Sequence, residues 1–469
     1  MGALAAMLKD QGHAVTGSDE NVYPPVSDFL AARGIEIFEG YSPGHVDRAG
    51  PDLVIVGNVA RPQNPEAVRT VESGLRYTSL ARTLGERFIA GRESVVAAGT
   101  HGKTTTTALL AWMLERAGAD PSFLAGGLCR NFDSNYSLGR GDHFVIEGDE
   151  YDTAYFDKVP KFIHYRPKWT ILTGVEFDHA DIYPDLEAVK EAFRMLIRLI
   201  PAQGRLMVFS GCATALDLAA GAACPVLRYG FRPGDATRAG EIVPGEGQVS
   251  FRLFHQGRDL GIFTSPLPGR HNLANALAAL GLLLEMGFEP ETLALGLRSF
   301  LGVRRRQEII GEVGGVLVVD DFAHHPTAVR ETLAALKEFY PRRRLIALFE
   351  PRSNTSRRNF FQEEYASSFD SADLVVIRES TRDTGLADEE RLSCPRLVSD
   401  LEAKGIQAFF FPETEPILEL LEKEARSGDL IAVMSNGGFD NIHRRILKRL
   451  TGKREKEGRP DGMPEGNQS

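Results

Sequence analysis

The sequence predicts an α/β chain of about three domains, two of them open sheets flanked by helices. Three observations lead there. The 469 residues are more than a single hydrophobic core organises. Short apolar strands alternate with helical stretches in two separate blocks. Between those blocks a glycine-rich, phosphate-binding type of sequence falls where a strand passes into a helix.

The first block covers residues 14–79 and reads AVTGSD, VSDFLAARG, IEIFEG, DLVIVGN, PEAVRTVESG, an alternation typical of a doubly wound sheet. The chain opens on a helix at residues 2–11, where such a domain normally begins with a strand and a glycine-rich turn. Two strands are therefore expected to lack their common neighbour. A second block starts at the strand SVVAAG and runs to about Gly302, through Gly- and Pro-rich loops. The third begins at GVLVVDDF and continues through RRLIALFEP, DLVVIRES, QAFFFP and DLIAVMSNGG, with helical segments between. Expected boundaries are 1–92, 93–302 and 303–451. The tail from Gly452 lacks apolar residues, so disorder is expected over 452–469.

Bulk composition excludes several classes. A net charge of -10 is the wrong sign for a nucleic-acid surface. The four cysteines, Cys129, Cys212, Cys224 and Cys394, have neither disulfide-framework nor zinc-site spacing. No apolar run is long enough for a membrane span and no leader precedes the first helix, so a cytoplasmic protein is expected.

The chemistry concentrates in four places. In AAGTHGKTTTT, Gly99 and Gly102 allow backbone N–H groups to close on phosphate oxygens, Lys103 reaches the β and γ phosphates, and Thr104 offers a hydroxyl to Mg²⁺. The match is incomplete, because Ala97 stands where the general pattern has glycine. Downstream, FVIEGDEYD places Glu147 at the end of a buried strand, and TILTGVEFDHADIY places Asp178 and His179 at the end of another. Strand ends of an open sheet meet in one crevice, where a carboxylate and an imidazole suit Mg²⁺. Either alone reads equally well as a solvated loop or a packed histidine. Their joint spacing after the phosphate loop favours the site.

In PGRHNLANALAAL, Asn272 and Asn275 share a helical face just after His271, a pattern that capping and surface residues also produce. Finally, GVRRRQEI and VVDDFAHHP bring three arginines close in sequence to carboxylates and two histidines. Arginine gives fixed charge for a transferring phosphoryl group, although a basic linker accounts for some of the three.

Together these motifs resemble the Mur ligases, which build the peptide stem of peptidoglycan, over nearly the whole chain except the tail. The resemblance implies the three-domain Mur ligase architecture: a Rossmann-like N-terminal domain with its first strand missing, a central P-loop ATPase-like domain and a C-terminal Rossmann-like domain. It further implies ATP and Mg²⁺ as cofactors. Gly99, Thr100, His101, Gly102, Lys103, Thr104 and Thr105 would hold phosphate, with Glu147 and His179 joining Thr104 on Mg²⁺. His271, Asn272 and Asn275 match the family's nucleotide motif, Arg305 or Arg306 its ATP-contacting arginine, and Asp321 its ribose-binding acid. Lys103, Glu147 and His179 are then the catalytic set.

GTHGKTTT and DDFAHHP further resemble the members that use UDP-N-acetylmuramate as carboxyl donor. EGDEYDTAYFDK, FEPRSNT and MSNGGFDNIH are similar to those that add the preformed tripeptide L-alanyl-γ-D-glutamyl-meso-diaminopimelate in peptidoglycan recycling. The alternative is L-alanine addition. On the tripeptide reading, Arg352 is expected to bind a peptide carboxylate, with Asn354 and His324 also at the substrate; pairing of Arg352 with Glu350 is the competing outcome. Several relatives carry a carbamylated lysine, but Arg194 occupies the aligned position and Lys190 reads as a helix-surface lysine, so no carbamate is expected.

The implied mechanism passes through an acyl phosphate, with His324 or His325 available to take the amine proton and the third domain closing over the second. Two other classes compete. A dinucleotide-dependent oxidoreductase is suggested by Asp19 at a strand end, but its glycine fingerprint is absent. A catalytically silent binding protein is suggested by the shortened first domain, but Lys103, Thr104, Glu147 and His179 are all present.

Overall fold

A computed structural model describes every residue except 23–25, 181, 246, 380–387 and 458–469. The chain divides into two compact units. The first comprises residues 1–243, 250–266 and 272–303; the second comprises 244–249, 267–271 and the chain from Arg304 on.

The first unit is organised by a ten-stranded sheet. Its strands lie in the order Ser134–Ser137, Ser122–Cys129, His143–Gly148, Glu93–Ala98, Trp169–Leu172, Arg205–Phe209, Val226–Gly230, Thr237–Gly245, Gln248–His255 and Arg258–Ser265. Glu93–Ala98 lies parallel between His143–Gly148 and Trp169–Leu172, with Ala97 opposite Glu147 and Ala98 opposite Leu172. Residues 95–98 are fully buried, as a run of Val and Ala in a parallel strand covered on both faces should be. This one pairing puts the loops after all three strands at the same edge of the sheet.

The early residues of this unit form two separate parallel pairs, Thr16–Asp19 with Glu36–Glu39 and Val54–Val56 with Tyr77–Ser79. They belong to different sheets. The helix Gly2–Asp10 buries Leu4, Ala6, Met7 and Leu8 in the same core as Leu84, Phe88, Ile146 and Phe162.

The second unit holds a six-stranded sheet in the order Glu308–Val313, Val316–Asp321, Asp429–Ser435, Arg344–Glu350, Leu374–Arg378, Gln407–Phe411. Only the first pair is antiparallel. Strand alternation sends Leu345, Ala347 and Phe349 to one core and Ile346 and Leu348 to the other, so both faces are covered.

Two sequence expectations need correcting here. The last helix, Ile442–Glu457, runs beyond the expected end of order at 451. Ile442, Ile446 and Leu450 on one face of it pack into the core, and the Lys, Arg and Glu residues that follow are good helix formers that propagate a helix already nucleated. Residues 458–469 of the expected disordered tail lie outside the described residues. Asp178 and His179 are not at a strand end but six and seven residues past Leu172, in the loop that follows.

Arg194 is a surface residue of the helix Leu186–Leu199, 2.6 Å from Glu187 and 3.0 Å from Glu191, while Lys190 pairs with Glu187 at 3.3 Å. All four cysteines are free thiols, and no helix among the described residues is long and apolar enough to cross a membrane.

Candidate active site

The turn between Ala98 and Lys103 is shaped by two glycines with left-handed backbones, φ 128° at Gly99 and 81° at Gly102. A Cβ on Gly99 would stand 2.3 Å from Thr173 Oγ1, and one on Gly102 would stand 2.5 Å from Asn275 Oδ1. Asn275 therefore packs directly on the phosphate loop, with its Nδ2 donating to Asn272 Oδ1 at 3.4 Å. Both asparagines are buried, which separates them from capping or surface residues. Thr100 and His101 brace the loop against the loop that follows the strand Trp169–Leu172: Thr100 Oγ1 accepts from Glu176 N at 2.9 Å, and His101 Nε2 lies 3.3 Å from Glu176 Oε2.

The helix Lys103–Arg116 starts at the end of this turn with Gly102 as its cap residue. Helix geometry leaves the first-turn N–H groups without intrahelical partners, and they add to the positive end of the dipole where an anion would sit. Thr104 and Thr105 are buried in that first turn.

The acidic residues converge from the neighbouring strand. Glu147 Oε2 accepts from Thr104 Oγ1 at 3.1 Å, and its other oxygen accepts from Gly126 N. Two hard oxygen donors from adjacent elements suit Mg²⁺, which is bound by few carboxylates and completes its shell with water and phosphate.

Lys103 Nζ donates to Gly99 O at 2.7 Å and to Glu150 Oε2 at 2.9 Å. Glu150 Oε1 is 3.5 Å from His179 Nε2, and the Tyr183 hydroxyl donates to the Glu150 carbonyl. Burial opposes the charges on Lys103 and Glu150, but their mutual attraction outweighs it. The lysine pKa is raised and the glutamate pKa lowered. Burial likewise opposes the charged form of His179, yet Glu150 and Asp178 raise its pKa. Next to them Lys161 pairs with Asp149 at 3.0 Å and lies 4.2 Å from the centre of the Tyr151 ring.

In the second unit the arginines and acids of the DDFAHHP region brace one another. Arg305 has a left-handed backbone, φ 61°, and donates from Nη2 to the carbonyls of Ser435 and Gly437, each at 2.6 Å. Its Nε is 3.4 Å from Asp320. Arg306 lies 4.7 Å from the centre of the Phe322 ring. Asp321 is buried and accepts from Gln307 N at 2.8 Å, Ala323 N at 2.7 Å and the Thr332 hydroxyl at 3.4 Å. Burial pushes its pKa up. His324 Nδ1 is 3.1 Å from Phe322 O, and His325 caps the helix Pro326–Phe339 by accepting from Thr327 N. His271, already inside the first turn of the helix Arg270–Glu285, has Nε2 3.5 Å from Gln307 Nε2.

Family models match three consecutive stretches: "Mur ligase family, catalytic domain" over residues 1–91, "Mur ligase middle domain" over 97–283 and "Mur ligase, glutamate ligase domain" over 305–437. An Escherichia coli K12 protein named UDP-N-acetylmuramate–L-alanyl-γ-D-glutamyl-meso-2,6-diaminoheptandioate ligase is 38% identical over 468 residues, covering 97% of each chain. The chain belongs to the Mur ligase family. Like its relatives it is a ligase. A crystal structure of a murein peptide ligase from Psychrobacter arcticus superposes on it with a TM-score of 0.70 at 35% identity, covering 96% of each chain. A UDP-N-acetylmuramate–L-alanine ligase of Caldanaerobacter subterraneus is 31% identical, covering 96% of this chain and 95% of its own.

In this Mur ligase the first unit brings together Lys103, Thr104, Glu147, Asn275 and the phosphate-loop glycines. His179 is joined to them through Glu150, not through Glu147. Arg352 does not take the competing partner, since Glu350 is held by Arg378 at 3.1 Å and by Ser435 Oγ at 2.6 Å. Asn354 is exposed and accepts from Arg357 at 2.9 Å. Glu150 was missed in the sequence. Its signal was the second glutamate of EGDE, three residues after Glu147, but alternation along a strand gives no reason to expect a residue beyond the strand to turn back under the lysine.

Proposed function

We propose that this Mur ligase joins the lactyl carboxylate of UDP-N-acetylmuramate to the amine of L-alanyl-γ-D-glutamyl-meso-2,6-diaminoheptandioate, with ATP converted to ADP and phosphate, in the cytoplasm. The observation that carries the ligase chemistry is Lys103 held at the phosphate-loop helix beside the Thr104–Glu147 oxygen pair. Identity of 38% to the tripeptide ligase against 31% and 34% to two L-alanine ligases supports the choice of acceptor.

A carboxylate is a poor acylating agent. Attack of the lactyl carboxylate oxygen on the γ-phosphorus of ATP releases ADP and forms an acyl phosphate; the peptide amine then attacks the carbonyl carbon and phosphate leaves. The phosphate-loop N–H groups and Lys103 bind and orient the transferred group and stabilise the charge developing on it. Glu150 keeps Lys103 in place and charged. Mg²⁺, when held by Thr104 and Glu147 with His179 near, supplies further charge neutralisation. On this reading Arg305 or Arg306 and Asp321 are nucleotide-binding residues of the second unit, while in the first unit Asn275, bonded to Asn272, packs on the loop. His324 takes the proton of the amine on this reading, because the Thr327 cap occupies His325 Nδ1.

The test is ADP release that requires UDP-N-acetylmuramate, measured with the tripeptide and with L-alanine as competing acceptors. A higher kcat/KM for the tripeptide is expected. Preference for L-alanine would move the assignment to the alternative, and absence of ADP release with either acceptor would return it to a silent binding protein.

A further inference from the structure

The strand His143–Gly148 is followed by two consecutive acids, and each turns to a different lysine. Glu150 holds Lys103 at 2.9 Å, and Asp149 holds Lys161 at 3.0 Å. Lys161 opens the short helical turn Lys161–His164, which follows the hairpin of Asp152–Ala154 with Asp157–Pro160. That hairpin is anchored on the early part of the same unit by Ser79 Oγ, which donates to Asp157 at 3.2 Å, and by Tyr77, whose ring meets Phe156 edge-on at 4.9 Å. The Lys161 ammonium lies 4.2 Å from the centre of the Tyr151 ring, and the same ring lies 5.2 Å from that of His179. Lys161 is thus a second cation of this site, one ring removed from His179.

The two lysines are not equally engaged. Lys103 donates both to Gly99 O and to Glu150. Lys161 has one acceptor, Asp149, among the described residues, although an ammonium carries three N–H groups. Its side chain is 14% exposed and that of Asp149 17%, so the pair is largely out of water. Burial opposes the charge of Asp149, but Lys161 and, next, Lys103 outweigh it and hold its pKa down. A largely buried ion pair seldom fastens a turn better than apolar packing would. An ammonium held this way, with donors to spare, suits an anion that arrives with substrate.

Acyl phosphate formation brings such an anion. The lactyl carboxylate has to approach the γ-phosphate, two negative groups at one point, while Lys103 serves the phosphate. Resting on the carboxyl-donor reading above, we propose that Lys161 receives the lactyl carboxylate of UDP-N-acetylmuramate. One carboxylate oxygen accepts from the ammonium, and the other stays free to attack the γ-phosphorus; Lys161 neither gains nor loses a proton. Asp149 is the positioning residue, since it fixes the ammonium against the Tyr151 ring. A sugar nucleotide without the lactyl group has nothing to offer this cation, so Lys161 also selects the donor.

Calorimetry on the full chain tests this, with Mg²⁺ and the non-hydrolysable β,γ-imido analogue of ATP present. The ligands are UDP-N-acetylmuramate and UDP-N-acetylglucosamine, the same sugar nucleotide without the lactyl ether. The proteins are wild type, Lys161→Met and the double variant Lys161→Met with Asp149→Asn, which avoids leaving Asp149 as a lone buried charge. Wild type should bind UDP-N-acetylmuramate the more tightly. Both variants should lose about tenfold or more in affinity for it, with little change for UDP-N-acetylglucosamine or for the ATP analogue. The ratio between two ligands on one protein is unaffected by a change in its folded fraction. A wild type without the preference, variants that keep it, an equal loss on both sugar nucleotides, or a loss confined to the ATP analogue would overturn the proposal. ADP release by wild type with UDP-N-acetylmuramate and the tripeptide, run alongside, leaves the donor reading intact in each of those cases. Failure of that release removes the reading, and the proposal with it.

Discussion

Glu150 Oε2 accepts a hydrogen bond from Lys103 Nζ at 2.9 Å, with the glutamate side chain 2% and the lysine 12% exposed. The residue proposed to bind the transferring phosphate thus owes its position and its charge to a carboxylate 47 residues further along the chain. A buried charge held by one partner is sensitive to that partner's removal.

Lys103→Ala should lower kcat a hundredfold or more, a loss of roughly 2.7–4 kcal/mol in transition-state stabilisation. It should also cost about 3–5 kcal/mol of stability, because Glu150 keeps only the longer contact to His179. Adding Glu150→Gln to Lys103→Ala should restore much of the thermal midpoint and none of the activity. Retention of more than a tenth of wild-type kcat in Lys103→Ala would remove the lysine from the mechanism.

The pair also carries a pH signature. Glu150 has a lowered pKa in the fold, so its stabilisation is fully present above the ordinary glutamate value near 4.5 and is lost as pH falls through the depressed folded value. Because Glu150 also raises the His179 pKa, the comparison starts below the ordinary histidine value near 6.5. From there the stability difference between wild type and Glu150→Gln, measured by urea unfolding, should be constant down to the ordinary glutamate value near 4.5 and shrink below it. A difference that grows below that value would contradict the assignment.

His179→Ala should raise the Mg²⁺ concentration needed for half-maximal rate more than it raises KM for ATP. The structure adds a second effect, since His179 is also a partner of Glu150. Metal titrations at fixed ATP measure the first; an unchanged titration would leave His179 with only the Glu150 contact.

Gly102→Ala should abolish nucleotide binding. The new methyl would meet Asn275 Oδ1 at 2.5 Å on a backbone with φ 81°, so both space and conformation oppose it. Pairing it with Asn275→Ala removes the clash and leaves the strain, and ATP affinity by calorimetry should recover in part. Full recovery would show that backbone conformation at 102 is unimportant.

Asp321→Ala should cost about 2–3 kcal/mol in chemical denaturation, because it strands two backbone N–H groups and the buried Thr332 hydroxyl. A change below about 0.5 kcal/mol, the scale of ordinary surface substitutions, would deny it this bracing role.

Much of this enzyme was written locally in its sequence. The phosphate loop needs glycines, a lysine and a threonine within a few residues, and the strand–helix alternation needs only neighbouring side chains of the right period, so both were legible at residues 94–116. Glu147 was legible for the same reason, as the polar end of an apolar strand. What the sequence could not specify were contacts between residues far apart in it. Glu150 under Lys103, Asn275 against Gly102, Asp321 gripping Gln307 N, and Glu350 bound by Arg378 and Ser435 instead of Arg352 all depend on which strands become neighbours. Strand pairing and helix packing settle that, because they bring together side chains that no local periodicity relates.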